Sequence, residues 1–223
     1  MLKTLAVQDY IKTIANLSLT LGVEKVKVSY IAKKLKVTNA AVSDMVKKLV
    51  KEDLIINHSY KGVELTDAGR VLGMRLIRHH RLWEVFLNKT LGVPWDQIHA
   101  EAENLEHAAS VDLMDRIDAY LHYPTVDPHG NPIPCKDGQV VYKKDEVAIA
   151  DMDIGTKYVI TRFESLDSDY LGYITKQGFA VEQSLSVVQH LVFDGSSICC
   201  IKGTDLHVTA DAAKKIFGVL QGN

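Results

Sequence analysis

With 223 residues, 47% hydrophobic and 24% charged, the chain can bury a core and has room for two or three small domains. No run of 18 apolar residues occurs, which excludes a transmembrane helix. The opening Met1-Leu-Lys-Thr-Leu-Ala6 lacks a signal-peptide core, so a cytoplasmic protein without a membrane partner is expected. The formal net charge of −2 hides an asymmetry: residues 1–82 carry 15 Lys+Arg against 7 Asp+Glu, and residues 83–223 carry 11 against 21. A basic front suits a polyanion, which the acidic remainder would repel unless it is turned away or neutralised.

Apolar residues at 7, 10, 11, 14, 17 and 21 predict a helix over 5–21, stopped by Gly22. Val26-Lys-Val28 reads as an extended lead-in, and Ser29 as the N-cap of a helix over 30–35. After a turn at Lys36-Val37, Thr38 caps a second helix over 39–51 with Val42, Met45, Val46 and Leu49 on its core face. Residues 54–58 and 63–65, joined through Ser59-Tyr-Lys-Gly62, predict a hairpin. Helix, helix-turn-helix, hairpin and a further helix capped by Thr66 spell a winged helix-turn-helix. The outer face of its second helix carries Thr38, Asn39, Ala40, Ala41, Ser43, Asp44, Lys47 and Lys48. Small and hydrogen-bonding residues there can approach base edges, with Ala40 and Ala41 placed for thymine methyls. Lys47, Lys48, Lys51 and Lys61 suit phosphates. Taken alone, these lysines are also what a solvated helix face would carry.

A long helix over 67–91 contains His80 and Glu84, one turn apart. Gly92-Val-Pro94 stops it, and Pro94 opens a helix bearing His99, Glu103, Glu106 and His107 at i, i+4, i+7 and i+8. Two imidazoles and two carboxylates on one face are either a solvated stripe or a donor set for a first-row divalent metal. Residues 110–122 predict a further amphipathic helix, and the wide apolar faces of these helices suit a dimer interface. The segment 123–134 holds four of the five prolines and should be extended. From Ile149 the texture is β: strands at 157–163, 184–188, 197–202 and 206–209, with helices near 169–177 and 210–217, predict a small SH3-like barrel. Cys135, Cys199 and Cys200 form no CxxC pair, and no disulfide framework is expected.

Asp9-Tyr-Ile-Lys-Thr-Ile, Val42-Ser, Leu65-Thr-Asp-Ala-Gly, His80-Arg-Leu-Trp-Glu84, His99 with Glu103 and Glu106-His107, and Pro128-His-Gly-Asn-Pro-Ile-Pro together resemble the diphtheria-toxin-repressor family of metal-dependent transcriptional regulators, in its manganese-responsive, three-domain form. The resemblance implies a mainly α chain with a small β domain: a DNA-binding winged helix (1–70), a helical dimerisation and metal-binding domain (71–148, with a Pro-rich linker over 123–148) and an SH3-like, FeoA-like β-barrel (149–223). It implies a primary metal site of Asp9, Glu103, Glu106 and His107, and a second of His80, Glu84 and His99. Glu164 is the leading candidate to complete the second site, with Asp167 and Asp169 behind it. Asp127 is either a primary-site ligand or a plain turn aspartate. Iron-responsive relatives carry Met and Cys where this chain has Asp9 and Glu103, and oxygen donors favour the harder Mn²⁺. Fe²⁺ is the alternative, and other divalent first-row ions can substitute in vitro. Where small two-domain manganese regulators carry a Glu, Lys12 stands here. A lysine does not ligate, so separated metal sites are expected rather than a closely spaced pair.

The function implied is a metal-activated repressor of metal-homeostasis genes, a homodimer on a double-stranded operator with two half-sites, with no small organic substrate. Two other readings stand beside it. One is a metallohydrolase carrying a helix-turn-helix, against which no separate nucleophile or general-base motif occurs. The other is a winged-helix regulator whose polar helix face is only structural.

Overall fold

The computed structural model describes residues 4–95, 97–164 and 168–222. The chain divides into two compact units: residues 1–83, 102–123 and 133–140, and residues 84–101, 124–132 and 141–223.

In the first unit, α1 (Leu5–Leu21) buries Val7, Ile11, Ile14 and Ala15 and ends at Gly22, whose left-handed φ of 61° lets its N–H reach the Leu19 carbonyl. The next helix, α2 (Val28–Leu35), starts earlier than the sequence suggests. Lys27 is its N-cap residue, its carbonyl accepting from Tyr30 N at 3.0 Å, so Ser29 lies inside the helix and is not its cap. Val26 alone keeps the extended lead-in, exchanging two backbone hydrogen bonds with Val63 at 2.8 and 2.9 Å. In α3 (Asn39–Lys51) the cap is as expected: Thr38 Oγ1 accepts from Ala41 N at 3.2 Å. Strands β1 (Ile55–His58) and β2 (Gly62–Leu65) form the hairpin, in register from Ile55–Leu65 to His58–Gly62. Gly62 is required there: its φ is +111°, and a Cβ would stand 2.4 Å from the Val26 carbonyl oxygen. The three helices and the hairpin close over Ile11, Ile14, Ile31, Val42, Leu49 and Val63.

Thr66 Oγ1 accepts from Gly69 N at 3.1 Å and opens α4 (Asp67–Lys89). Helix α5 (Ile98–Leu105) is shorter than expected. Pro94 opens a turn, its carbonyl accepting from Gln97 N and Ile98 N, and the helix follows from Ile98. Glu106 and His107 therefore sit on the turn after α5, although Glu106 N still bonds the Ala102 carbonyl at 3.0 Å. The helical rise thus carries on far enough to keep Glu106 near the face of Glu103. In α6 (Val111–Tyr120), Ser110 is the N-cap, accepting from Leu113 N.

The second unit holds a six-stranded antiparallel sheet built from β3 (Val147–Ala148), β4 (Lys157–Phe163), β5 (Ser184–His190), β6 (Ser197–Ile201), β7 (Thr204–Val208) and β8 (Ile216–Leu220). Their order is β3-β8-β4-β5-β6-β7. Two helices join them: α7 (Ser168–Lys176) and the single-turn α8 (Ala210–Ala213). The helix expected over 210–217 thus stops at 213, and the chain turns into β8. Thr209 does cap a helix there, but Ile216 and Gly218 face the core, where β8 pairs with both β3 and β4. The core is Ile149, Tyr158, Ile160, Phe163, Leu185, Val187, Cys199 and Ile216. Among the described residues, no helix is long and apolar enough to cross a membrane.

Candidate metal centre

The residues of the first polar cluster come from two segments far apart in sequence. Asp9 projects from α1, Glu103 from α5, and Glu106 and His107 from the turn that follows α5. His107 Nε2 lies 3.0 Å from Asp9 Oδ1 and 3.3 Å from Glu106 Oε1. One donor atom each from Asp9, Glu106 and His107 falls within 4.8 Å of the others, so a single ion can reach all three. On its other side, the His107 ring meets Gln8 Oε1 at 3.1 Å from Nδ1. In the neutral ring with Nδ1–H donating to Gln8, Nε2 has a lone pair available to a cation seated between the two carboxylates. The donors, imidazole and carboxylate oxygen, fit Mn²⁺ or Fe²⁺. Gln8 was not among the sequence candidates, because an amide before Asp9 on a helix carries no metal signature of its own.

The electrostatics are unusual for a site this enclosed. Glu106 has a side chain with 0% exposure and Lys12 one with 7%. Burial pushes the Asp9 carboxyl above its ordinary range, while His107 pulls it back. Lys12 Nζ stands 2.6 Å from Glu103 Oε1 and 2.7 Å from both oxygens of Glu106. Sequence reasoning expected this lysine not to ligate, and the structure adds that it is itself the counter-ion of two candidate ligands. Glu106 also meets His80 Nδ1 at 2.6 Å, and His80 is 4.0 Å from Glu103.

The second set falls on both units, His80 on the first and Glu84 and His99 on the second. His80 and Glu84 are one turn apart on α4. In the second unit, His99 Nδ1 lies 3.3 Å from Glu84 Oε1, and both Glu84 and His129 have fully buried side chains. His129 Nε2 is 3.9 Å from the same Glu84 oxygen. Neither ring nitrogen of His129 has a hydrogen-bond partner among the described residues, and Trp95 packs edge-on against the ring at 4.4 Å. A buried imidazole with two unused nitrogens beside a buried carboxylate is a candidate ligand that sequence reasoning passed over as part of a Pro-His-Gly turn.

Asp127 has the turn role: Oδ1 accepts from His129 N at 2.8 Å and from Asn131 N at 2.9 Å. Glu164 accepts from Arg162 Nη1 at 3.0 Å, while the Arg162 guanidinium also donates to Glu146 and lies over the Phe217 ring at 3.7 Å. Asp167 and the side chain of Asp169 lie outside the described residues.

The proposed DNA-reading face is open. Thr38, Asn39, Ala40, Ala41, Ser43, Asp44, Lys47, Lys48 and Lys51 are all exposed along α3, and Lys61 is exposed on the hairpin. Ser43 Oγ donates to its own helix at the Asn39 carbonyl, 2.9 Å away, which leaves its oxygen as an acceptor. Lys47 pairs with Asp44 at 2.8 Å in full solvent, a contact of little energetic weight. Tyr60, at the hairpin tip with φ of +62°, is wholly exposed.

Three family models match the chain. They are the iron dependent repressor N-terminal DNA binding domain over residues 3–63, the iron dependent repressor metal binding and dimerisation domain over 66–135, and the FeoA domain over 147–219. The iron-dependent repressor IdeR of Mycobacterium tuberculosis is 38% identical over 104 residues, 47% of this chain and 45% of that protein; the match spans less than half of that relative's length. The HTH-type transcriptional regulator MntR of Bacillus subtilis is 37% identical over 120 residues, 54% of this chain and 82% of that protein. A solved manganese-dependent transcriptional repressor in complex with manganese superposes with a TM-score of 0.85 at 34% identity, covering 96% of this chain and all of the other. ScaR with bound Zn²⁺ gives 0.83 at 32%, covering 96% and 99%.

Proposed function

The chain belongs to the diphtheria-toxin-repressor family of metal-dependent transcriptional regulators, and from that premise we propose that it is a Mn²⁺-activated, DNA-binding repressor of metal-homeostasis genes. Fe²⁺ is the alternative ion. The observation that carries the reading is the convergence of Asp9, Glu106 and His107 from α1 and from the turn after α5. Mn²⁺, when bound, supplies positive charge among carboxylates that otherwise repel one another and repel DNA. Asp9 then ties the first helix of the DNA-binding region to the segment that carries Glu106 and His107. Gln8 holds the His107 ring in the orientation that presents Nε2. Glu103 joins this set. The family resemblance assigns His80, Glu84 and His99 to a second one, and within the second unit His129 is a further candidate beside Glu84, on the strength of its buried, unpartnered nitrogens.

The open face of α3 reads the major groove through Thr38, Asn39, Ala40, Ala41, Ser43 and Asp44, while Lys47, Lys48, Lys51 and Lys61 neutralise phosphates. The chain works as a homodimer through apolar side chains such as Val111, Leu113 and Tyr120, which α6 leaves exposed. Two copies place two recognition helices on half-sites about one helical turn or more apart. In this reading the three-part division at 70 and 148 separates DNA binding, dimerisation with metal binding, and the FeoA-like sheet.

The test is duplex binding with and without Mn²⁺, using sequences selected by the protein from a random pool. Tighter binding with metal is expected. Equal affinity in both conditions sinks the switch.

A further inference from the structure

We infer that Lys12 is a resident cation that competes with the metal ion for the primary site and so sets the concentration at which the ion is taken up; this rests on the proposed metal-activated function. Three carboxylates, Asp9, Glu103 and Glu106, crowd one place, and Glu106 is wholly buried. Such a cluster is unstable without positive charge near it. The chain supplies that charge itself. Lys12 is 5% exposed, and its ammonium reaches Glu103 Oε1 at 2.6 Å and both Glu106 oxygens at 2.7 Å.

The placement has a direct effect on ligand supply. Asp9, Glu106 and His107 present donors within reach of one ion, and Glu103, the fourth expected ligand, is not part of that group. Its carboxylate is held by Lys12 instead. Recruiting Glu103, and freeing the Glu106 oxygens, requires the ammonium to let go. Uptake of metal is then an exchange of one cation for another. The lysine bridges the same two segments, α1 and the α5 region, that a bound ion would join. The metal-free protein therefore keeps a weaker version of the same tie.

Lys12→Met keeps the length of the side chain and removes the charge. Two readouts test the inference. Titration calorimetry with Mn²⁺ alone should show at least about tenfold tighter binding at the primary site, the scale on which a buried charge pair acts. The melting temperature of the metal-free protein should fall, because Glu103 and Glu106 lose their counter-ion, and Lys12→Arg should restore it. Unchanged Mn²⁺ affinity overturns the inference, whatever the metal-free melting temperature does. So does weaker Mn²⁺ binding by Lys12→Met, which would make the lysine a support of the loaded site and not a competitor. If wild type binds Mn²⁺ and Lys12→Met binds it equally well, only this inference falls. If neither binds it, the metal reading falls as well.

Discussion

His107 Nε2 stands 3.0 Å from Asp9 Oδ1, across 98 positions of sequence. The Asp9 side chain is 41% exposed, so the fold does not depend on it as it depends on Glu106. Asp9→Ala should therefore leave the metal-free melting temperature within about 2 °C, since exposed substitutions shift stability by only a few tenths of a kcal/mol. It should also weaken Mn²⁺ binding at the primary site and remove most of the metal-dependent gain in DNA affinity. Calorimetry and duplex binding on the same preparation check both halves. A variant with full metal response would take Asp9 out of the mechanism.

Gln8 tests the orientation of His107 separately from its chemistry. Gln8→Leu removes the acceptor for Nδ1–H and keeps the side-chain volume roughly the same. A loss of about 10- to 100-fold in Mn²⁺ affinity is expected, typical of removing the partner that aims a metal-binding imidazole. An unchanged affinity would mean that packing alone orients the ring.

The lysines of α3 and the hairpin should show themselves in salt dependence. Lys47→Ala, Lys48→Ala and Lys61→Ala should each weaken binding to all sequences alike and lower the slope of log affinity against log salt by about 1 where the lysine neutralises a phosphate. Ala41→Gln, on the proposed base-reading face, should instead change which duplex is preferred. Binding curves at several salt concentrations separate the two groups. A lysine variant with the wild-type slope does not touch a phosphate.

Gly130 sits in the Asp127–Asn131 turn with φ of +85°, and a Cβ there would lie 1.9 Å from the Thr161 carbonyl oxygen. Gly130→Ala must move backbone, and a loss of at least about 2 kcal/mol is expected from the clash and the left-handed conformation together. Denaturant unfolding measures it. Gly155, with φ of +78° and open space around it, provides the contrast: Gly155→Ala meets the conformational cost alone and should lose less.

The thiols make a pH prediction. Burial pushes Cys199 up to about 12 from an ordinary value of 9.0, whereas Cys135 is exposed. A folded-state value above the unfolded one means that the contribution of Cys199 is fully present below pH 9 and is lost as pH climbs towards 12. Cys199→Ala should flatten that alkaline decline. In native protein at pH 8, a thiol reagent should modify Cys135 and spare Cys199 until denaturant is added, as mass spectrometry of the peptides would show. Equal labelling rates would contradict the burial.

Much of the winged helix is legible in the chain because its boundaries are chemical. Gly22, Thr38, Gly62 and Thr66 each supply a conformation or a capping oxygen that the neighbouring backbone needs. The expected Ser29 cap failed because α2 starts on a backbone carbonyl and uses no side chain at all. Strand β8 was hidden for a different reason. Its residues follow a well-capped helical turn, and pairing with both β3 and β4 decides their conformation. The same holds at the candidate metal centre. Residue type and helical spacing mark Glu103, Glu106 and His107, but the grip of Lys12 on two carboxylates joins positions 91 and 94 residues apart. His129 looks like any turn histidine until its burial removes the water that would have satisfied it.

The paired hydrogen bonds between Val26 and Val63, with Gly62 seated against the Val26 carbonyl, make the hairpin a cantilever. Its root is clamped to the segment leading into α2, and its far end, at Tyr60 and Lys61, overhangs into solvent. On the proposed DNA-binding reading, a load placed on the overhanging end would pass through the clamped root to the segment that leads into α2.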